Sequence, residues 1–443
     1  MASDKTFSDY QRIRVLWPDQ FGLARGKYLP AQLADKGSAF CATVFGTTYD
    51  RDIIDAPGAF LLEGLKDVHA TVADGTLRDS WEGDAVGVAV CDLSFENNPF
   101  TTAPREALQR ALDGWSALGY QVKLGIELEG YLLEPDGAGG WRRFENPRGI
   151  VYGTGSLGDP SGFTTEVLNM AERCGFNVES CNAEFDVSQT EFTLRYDDAM
   201  TMADDAFLFR TMVREIALAR GLDFTFLGKP FPEASGSGLH YNFSLTDSDG
   251  EPALADDAAP HGASELAMQC ISGLVEHHGA LTALCAPSIN AYRRLQPGML
   301  AGCWANWGVD HRNVTSRLPR EGGSAMRIEH RLADGSVNIH LGAAAILQAA
   351  RLGVVNNYAR CEAYEADGFE DGGDGVERSA ESLAGALDAL EADLALVEAV
   401  GDSTIGNFVA HKRHEVSCFE ASGGSLDSDA LTSFELEHYL PFH

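Results

Sequence analysis

The sequence predicts an α+β protein in two units: a small, mainly β unit over residues 1–103 and a large α+β unit over 104–443. Three observations carry this. Residues 10–100 alternate short strand-like runs (RIRVLWPDQFG, ARGKYLP, AVGVAVCDLS) with Gly and Asp turns. The segment NNPFTTAPREALQRALDGWSALG then opens a helix, with Thr102 as expected N-cap, Pro104 in the first turn, and an apolar stripe through Leu108, Ala111 and Leu112. Beyond it, four segments (KLGIELEGYLL, DVSQTEFTLR, GSGLHYNFSL and AMRIEHRL) place polar or charged residues at every second position.

In order, the large unit reads as that helix, the ELEGYLL strand, a long loop, and a helix around FTTEVLNMAERCG. The VSQTEFTLR strand follows, then a helix from about Asp197 to Arg220, the GSGLHYNFSL strand and the helix ELAMQCISGLVEHHGAL. Residues 286–325 form a Gly/Pro/Arg-rich loop region before the RIEHRL strand and a helical C-terminal third. LGAAAILQAARLGVV, interrupted by Gln348 and Arg351, reads as a buried helix rather than a membrane span, and the acidic EADGFEDGGDGVE as an exposed linker.

Alternate side chains of a strand share a face. Glu127 and Glu129 therefore point one way, as do Glu191, Thr193 and Arg195, His240, Asn242 and Ser244, and Arg327, Glu329 and Arg331. Burying charge is costly unless it is paired or bound to metal, so four such strands predict one shared, charged cavity. Hard cations such as Mg²⁺ and Mn²⁺ prefer carboxylates, sometimes with an imidazole. Glu127, Glu129, Glu184, Glu191, Glu329 and His240 suffice for two ions, with room for substrate phosphates. Arg294, Arg312, Arg317, Arg327 and Arg331 supply guanidinium forks for phosphate and carboxylate, whereas Arg293 and Arg320 read as surface salt bridges. The cavity points to an ATP-dependent enzyme.

Composition narrows the partners. Acidic residues outnumber basic ones 66 to 33, giving a net charge of −33, with only seven lysines. That balance predicts a salt-adapted surface and disfavours nucleic acid. Nine scattered cysteines without a CxxC pair predict free thiols in a reducing cytoplasm, and neither a secretory signal nor a membrane span is expected.

Taken in order, the motifs resemble the glutamine synthetase family over nearly the whole chain. RIRVLWPDQFGLARGKYLP is similar to the family's N-terminal β-grasp entry, GIELEGYLL to its ExE metal strand, and Glu184, Gln189 and Glu191 to its E-x₄-Q-x-E signature. KPFPEASGSGLHYNFSL, NAYRRLQPG, HRNVTSRLP and RIEHRLADGSVNIHL each resemble a family segment. The resemblance implies a β-grasp-like N-terminal domain, a catalytic domain with a curved antiparallel sheet, and homo-oligomeric double rings with sites between subunits. It implies Glu129, Glu184 and Glu191 for one metal, and Glu127, His240 and Glu329 for another. Arg294 and Arg331 would hold substrate carboxylates near Gly236 and His240. Arg312, Arg317 and Arg327 would face the phosphates, with Glu179, Asn242 and Ser244 on the ATP side. Arg312, Arg317 and Glu329 are the expected catalytic set, with γ-glutamyl phosphate as intermediate.

The departures fall on the amine half-reaction. Leu300 in PGMLAG stands where ammonia-using members usually carry a flap glutamate, Gly46 in FGTT falls near the place of an ammonium-binding aspartate, and Ser235 replaces an asparagine. A leucine neither stabilises a cation nor accepts a proton. The first expectation is therefore a γ-glutamyl–amine ligase. The alternatives are an ordinary glutamine synthetase with its proton acceptor elsewhere, such as Asp50, and a non-catalytic regulatory homologue.

Overall fold

Two sheets organise the chain, and each follows from its hydropathy pattern. A computed structural model describes residues 5–427 and 430–443. The first sheet comprises β1 (Arg12–Pro18), β2 (Ala24–Pro30), β3 (Ser38–Cys41), β4 (Asp67–Val72), β5 (Arg78–Asp79), β6 (Val86–Phe95) and β7 (Asn98–Pro99). Its order is β2-β1-β6-β4-β3, with β5 and β7 also on β6. The pairing of β1 with β6 is parallel. Central β6 is buried from Val86 to Cys91, as expected of a strand covered on both faces. Its neighbours include Trp17, stacked on Phe45 at 5.3 Å between ring centroids.

The second sheet holds β8 (Gln121–Pro135), β9 (Trp141–Arg143), β10 (Val178–Ala183), β11 (Gln189–Asp198), β12 (Asp223–Thr225), β13 (Leu239–Thr246), β14 (Trp307–Val309), β15 (Ser316–Leu318) and β16 (Ile328–His330). The order is β10-β11-β8-β13-β16-β15-β14, with β9 and β12 also on β8. All its pairings are antiparallel except β14 with β15. Irregular register at Val178/Ser180 and Leu194/Asp197 interrupts the ladders of β10 and β11; such bulges bend and twist a sheet. One face, with Leu124, Ile126, Leu128, Phe192, Leu194 and Phe243, is buried in the main core beneath helices Pro104–Ala117 and Ala199–Ala219. Helix Ile339–Val355 lies against both helices.

The predicted helices appear with informative differences. The first starts at Pro104 with Ala103 at its cap. Thr102 does not cap, because its hydroxyl bonds Ser403 at 2.7 Å on helix Asp402–Ala421; a tertiary partner outcompetes the local one. ELAMQCISGLVEHHGAL is two helices, Glu265–Glu276 and His278–Cys285, meeting at His277. His277 Nδ1 lies 2.6 Å from Asp393, whose other oxygen accepts the Leu396 N–H and caps helix Leu394–Val400. Burial alone would raise the Asp393 carboxyl, but the His277 and Leu396 hydrogen bonds hold it low. Asp393→Ala, which loses cap and ring partner together, is expected to lower stability by about 1–2 kcal/mol, read as a lower thermal midpoint.

Helix Ile339–Val355 is buried as expected, and Gln348 donates to the Ala399 carbonyl at 2.8 Å. No helix among the described residues is long and apolar enough to cross a membrane.

Two expectations need correction. Arg293 is not a surface residue: it is 8% exposed, and its guanidinium grips Glu435 at 2.8 and 2.9 Å. Burial of the facing Glu435 carboxyl, which would raise it, is overcome by Arg293 and by hydrogen bonds from Thr432 and Asn290. Arg320 is exposed, 3.4 Å from Asp310. The acidic segment at 365–377 is largely exposed and lacks regular structure, but it is no linker. Its carbonyls at Ala366, Asp367 and Phe369 bond His311, Asn313 and the Gly298 N–H at 2.6–2.7 Å. Those loop donors need acceptors, and the segment straps over 298–313.

Candidate active site

The face of the second sheet opposite the core collects the charge. His240 pairs with Glu127, Glu191 with Glu129, Asn242 with Glu329, and Glu329 with Arg317. Residues directly paired across strands share a face, so the alternating patterns of five strands fall in phase. Ser244 continues the row opposite Lys123.

One carboxylate group is matched by cations. Ligand atoms of Glu127, His240 and Glu329 lie within 4.8 Å of one another. His240 Nδ1 is 2.9 Å from Glu127 and 3.7 Å from Glu329. Glu329 is 2% exposed and is gripped by Arg331 and, at 2.7 Å, by Arg317. Burial would raise its carboxyl, yet Arg331, His240 and Arg317 hold it down at about 2. Glu127 is likewise lowered, burial being overcome mainly by His240. Asn242 donates to Glu127 at 3.0 Å and accepts from Arg327 at 3.3 Å.

The other group is not so matched. Glu129 accepts the Gly238 N–H at 2.7 Å and lies 3.9 Å from His240 Nε2. Glu184 and Glu191 meet through Asn182, whose amide nitrogen is 3.3 Å from each. Burial, then a direct hydrogen bond shared with Glu184, then the charges of Glu127 and Glu129 push Glu191 up to about 9. Clustered acids with hard oxygen donors and too little positive charge are the setting a divalent cation fits.

The glycines of GSGLH have a steric reason. A Cβ on Gly238 would stand 2.9 Å from both His240 Nε2 and an Arg294 nitrogen, and one on Gly236 would stand 2.8 Å from Arg294 Cγ. Gln189 Nε2 donates to the Gly236 carbonyl at 2.9 Å, tying the E-x₄-Q-x-E turn to this loop.

Other expected residues are placed less uniformly. Arg331 Nε is buried and unpaired among the described residues. Arg294 is buried and donates to the Leu332 and Arg331 carbonyls at 3.0 and 3.2 Å, which engages two of its five N–H groups. Arg327 also reaches Glu321 at 3.4 Å. Arg312 is exposed on the β14–β15 turn, and Glu179 is exposed at the β10 irregularity; neither is drawn into the carboxylate groups. Leu300 is 55% exposed. Ser235 N–H donates to Asp186 at 2.5 Å, and Asp50 faces His438 at 2.7 Å.

Two contributors escaped the sequence reading. Asp310 pairs with Arg317 at 2.6 Å, and only the parallel β14–β15 crossover brings them together. Asn182 carried a usable signal: it lies on β10 two residues before Glu184, which opens the turn that follows the strand.

With this geometry in hand, the similarities to known proteins are specific. A family model described as "Glutamine synthetase, catalytic domain" matches residues 101–430. A glutamine synthetase of Halobacterium salinarum is 30% identical over 425 residues, 94% of this chain and 92% of its own. Another, of Pyrococcus horikoshii, is 33% identical over 438 residues, 97% of this chain and 95% of its own. The solved structure titled "GmaS/ADP complex-Conformation 1" superposes with a TM-score of 0.84 at 26% identity, over 99% of this chain and 100% of that one.

Proposed function

The chain belongs to the glutamine synthetase family and is an ATP-dependent carbon–nitrogen ligase, and from that premise we propose that it joins the γ-carboxylate of glutamate to a carbon-bearing amine. In this reading the catalytic unit spans 104–443 and the β-grasp-like unit 1–103.

Glu127, His240 and Glu329 would hold one divalent cation, and Glu129, Glu184 and Glu191 a second, as Mg²⁺ or Mn²⁺. The bound cations would neutralise phosphate oxygens and align them for in-line transfer. Arg317 and Arg327, with Arg312 from the exposed turn, would face the phosphates, and Asn242, Ser244 and Glu179 the nucleotide. The relative titled as an ADP complex supports a nucleotide here. Arg331, with its unpaired Nε, and Arg294, through the N–H groups its two carbonyl bonds leave over, would take the substrate carboxylates beside Gly236 and His240. A glutamate γ-oxygen attacks the terminal phosphorus and ADP leaves, forming γ-glutamyl phosphate. The amine nitrogen then attacks the acyl carbon, phosphate leaves, and the nitrogen gives up a proton.

The observation that carries the choice of amine is Leu300, an exposed apolar side chain beside half-exposed Met299. This pair favours a carbon skeleton over a bare ammonium ion. One observation favours ammonia instead: the Glu370 carboxylate lies 3.5 Å from where a Gly298 Cβ would stand, so an acid does adjoin the Leu300 loop. Asp50 is the weaker substitute, being engaged by His438.

We also place the working site between subunits of a double ring. Exposed Ile150, Tyr152, Leu157 and Phe185 in the large unit, and Ile53 and Leu62 in the small unit, are apolar surface of the kind a second copy covers. The acid-rich, lysine-poor composition fits a cytoplasm of high ionic strength.

The test is phosphate release from ATP, Mg²⁺ and glutamate in high salt, with ammonium or with a panel of mono- and polyamines. Turnover is expected to need a carbon-bearing amine. Equal turnover with ammonium alone would make this a glutamine synthetase in the strict sense.

A further inference from the structure

We propose that Asn182 is a positioning residue for the second metal group, a neutral amide that holds Glu184 and Glu191 at cation-binding separation without competing for the cation. The inference rests on the reading that Glu129, Glu184 and Glu191 share one ion.

Each other carboxylate of the face has a strong fixed donor. Glu329 has Arg331 and Arg317, Glu127 has His240 and Asn242, and Glu129 has the Gly238 N–H at 2.7 Å. Glu191 has only Asn182 as an N–H donor among the described residues, and Glu184 has Asn182 and the adjacent Phe185 N–H at 3.0 Å. The placement follows from register. Asn182 pairs directly with Glu191 across β10 and β11, and Glu184 opens the turn joining the two strands. The two N–H bonds of one planar amide can thus serve one oxygen of each acid.

The chemistry of an amide suits this place. With both acids ionised around a cation, the two half-buried carboxylates repel each other, and a donor between them limits their splay toward solvent. Arginine or lysine would hold them more firmly, but its charge would oppose cation entry. The observed contacts of 3.3 Å are long for N–H···O bonds, so a cation that draws the oxygens inward displaces little. Partners of this kind, one step removed from the metal, typically change metal affinity by about 10–100-fold.

The test titrates the full-length protein with Mn²⁺, reading free ion by electron paramagnetic resonance, for wild type, Asn182→Ala and Glu191→Gln. Two classes of site are expected in wild type, and Glu191→Gln should abolish one. Asn182→Ala should weaken that same class about tenfold and leave the other unchanged. Half-saturating metal in the ligase assay should rise in parallel, with kcat at saturating metal within about twofold. Unchanged affinity of both classes in Asn182→Ala would overturn the proposal. So would equal weakening of both with a lower thermal midpoint, which would make Asn182 a general support of the sheet edge. Two intact classes in Glu191→Gln would instead overturn the ligand reading itself.

Discussion

Glu329→Gln is expected to lower kcat/KM by about 10³-fold, roughly 4 kcal/mol of transition-state stabilisation. The side chain is nearly inaccessible and is shared by Arg331, Arg317 and His240. Glutamine keeps the shape but removes the charge that three groups face. One of three clustered potential ligand atoms becomes a poor cation donor, and the guanidiniums of Arg331 and Arg317 lose the acid that orients them. Breaking a buried pair from one side costs about 3–5 kcal/mol of stability, so activity should be measured well below the variant's melting temperature and at saturating metal. The carboxyl also marks the pH profile. Its folded-state value of about 2 lies below the ordinary 4.5. Its stabilisation is therefore complete above about pH 4.5 and lost as pH falls toward 2. The glutamine variant should lack that component of acid destabilisation. Activity within about tenfold of wild type would remove Glu329 from the catalytic set.

The carboxylate face was legible because a strand has a period of two and charge is costly to bury. Glu127 and Glu129 in ELEGYLL, or Glu329 in RIEHRL, could hardly face a core, and the register then put them in phase. What the pattern could not carry was competition among partners. Arg294 in RRL read as a wholly free fork, but two of its five N–H groups are taken by the Leu332 and Arg331 carbonyls. Arg293 looked superficial beside so many acids, but the C-terminal helix delivers Glu435 onto it. Thr102 was a sound cap by local rules until Ser403, 301 residues away, claimed its hydroxyl. In each case the local reading lost to a contact that exists only after the chain has closed.

Leu300→Glu is expected to shift the ratio of kcat/KM for ammonium over that for a carbon-bearing amine by about 10²-fold toward ammonium. The fold should barely notice. Leu300 is 55% exposed in a loop whose turn is set by Gly298 at φ +81°, and an exposed substitution away from caps and pairs changes stability by about 0.5 kcal/mol or less. The acceptor side should notice strongly. An incoming ammonium must be held and then lose a proton, and a carboxylate some 4 Å away contributes about 4 kcal/mol in a partly enclosed site against about 1 in open water. The predicted 10²-fold, near 2.7 kcal/mol, lies between those limits because closure of the loop decides how much water remains. The same carboxylate covers an apolar wall, so the amine should lose efficiency while ammonium gains. Glu370→Gln in the same assay separates the two readings. If Leu300 defines the acceptor, this change leaves amine turnover intact. If Glu370 already serves as the flap acid, wild type uses ammonium well, Glu370→Gln abolishes that use, and Leu300→Glu adds little.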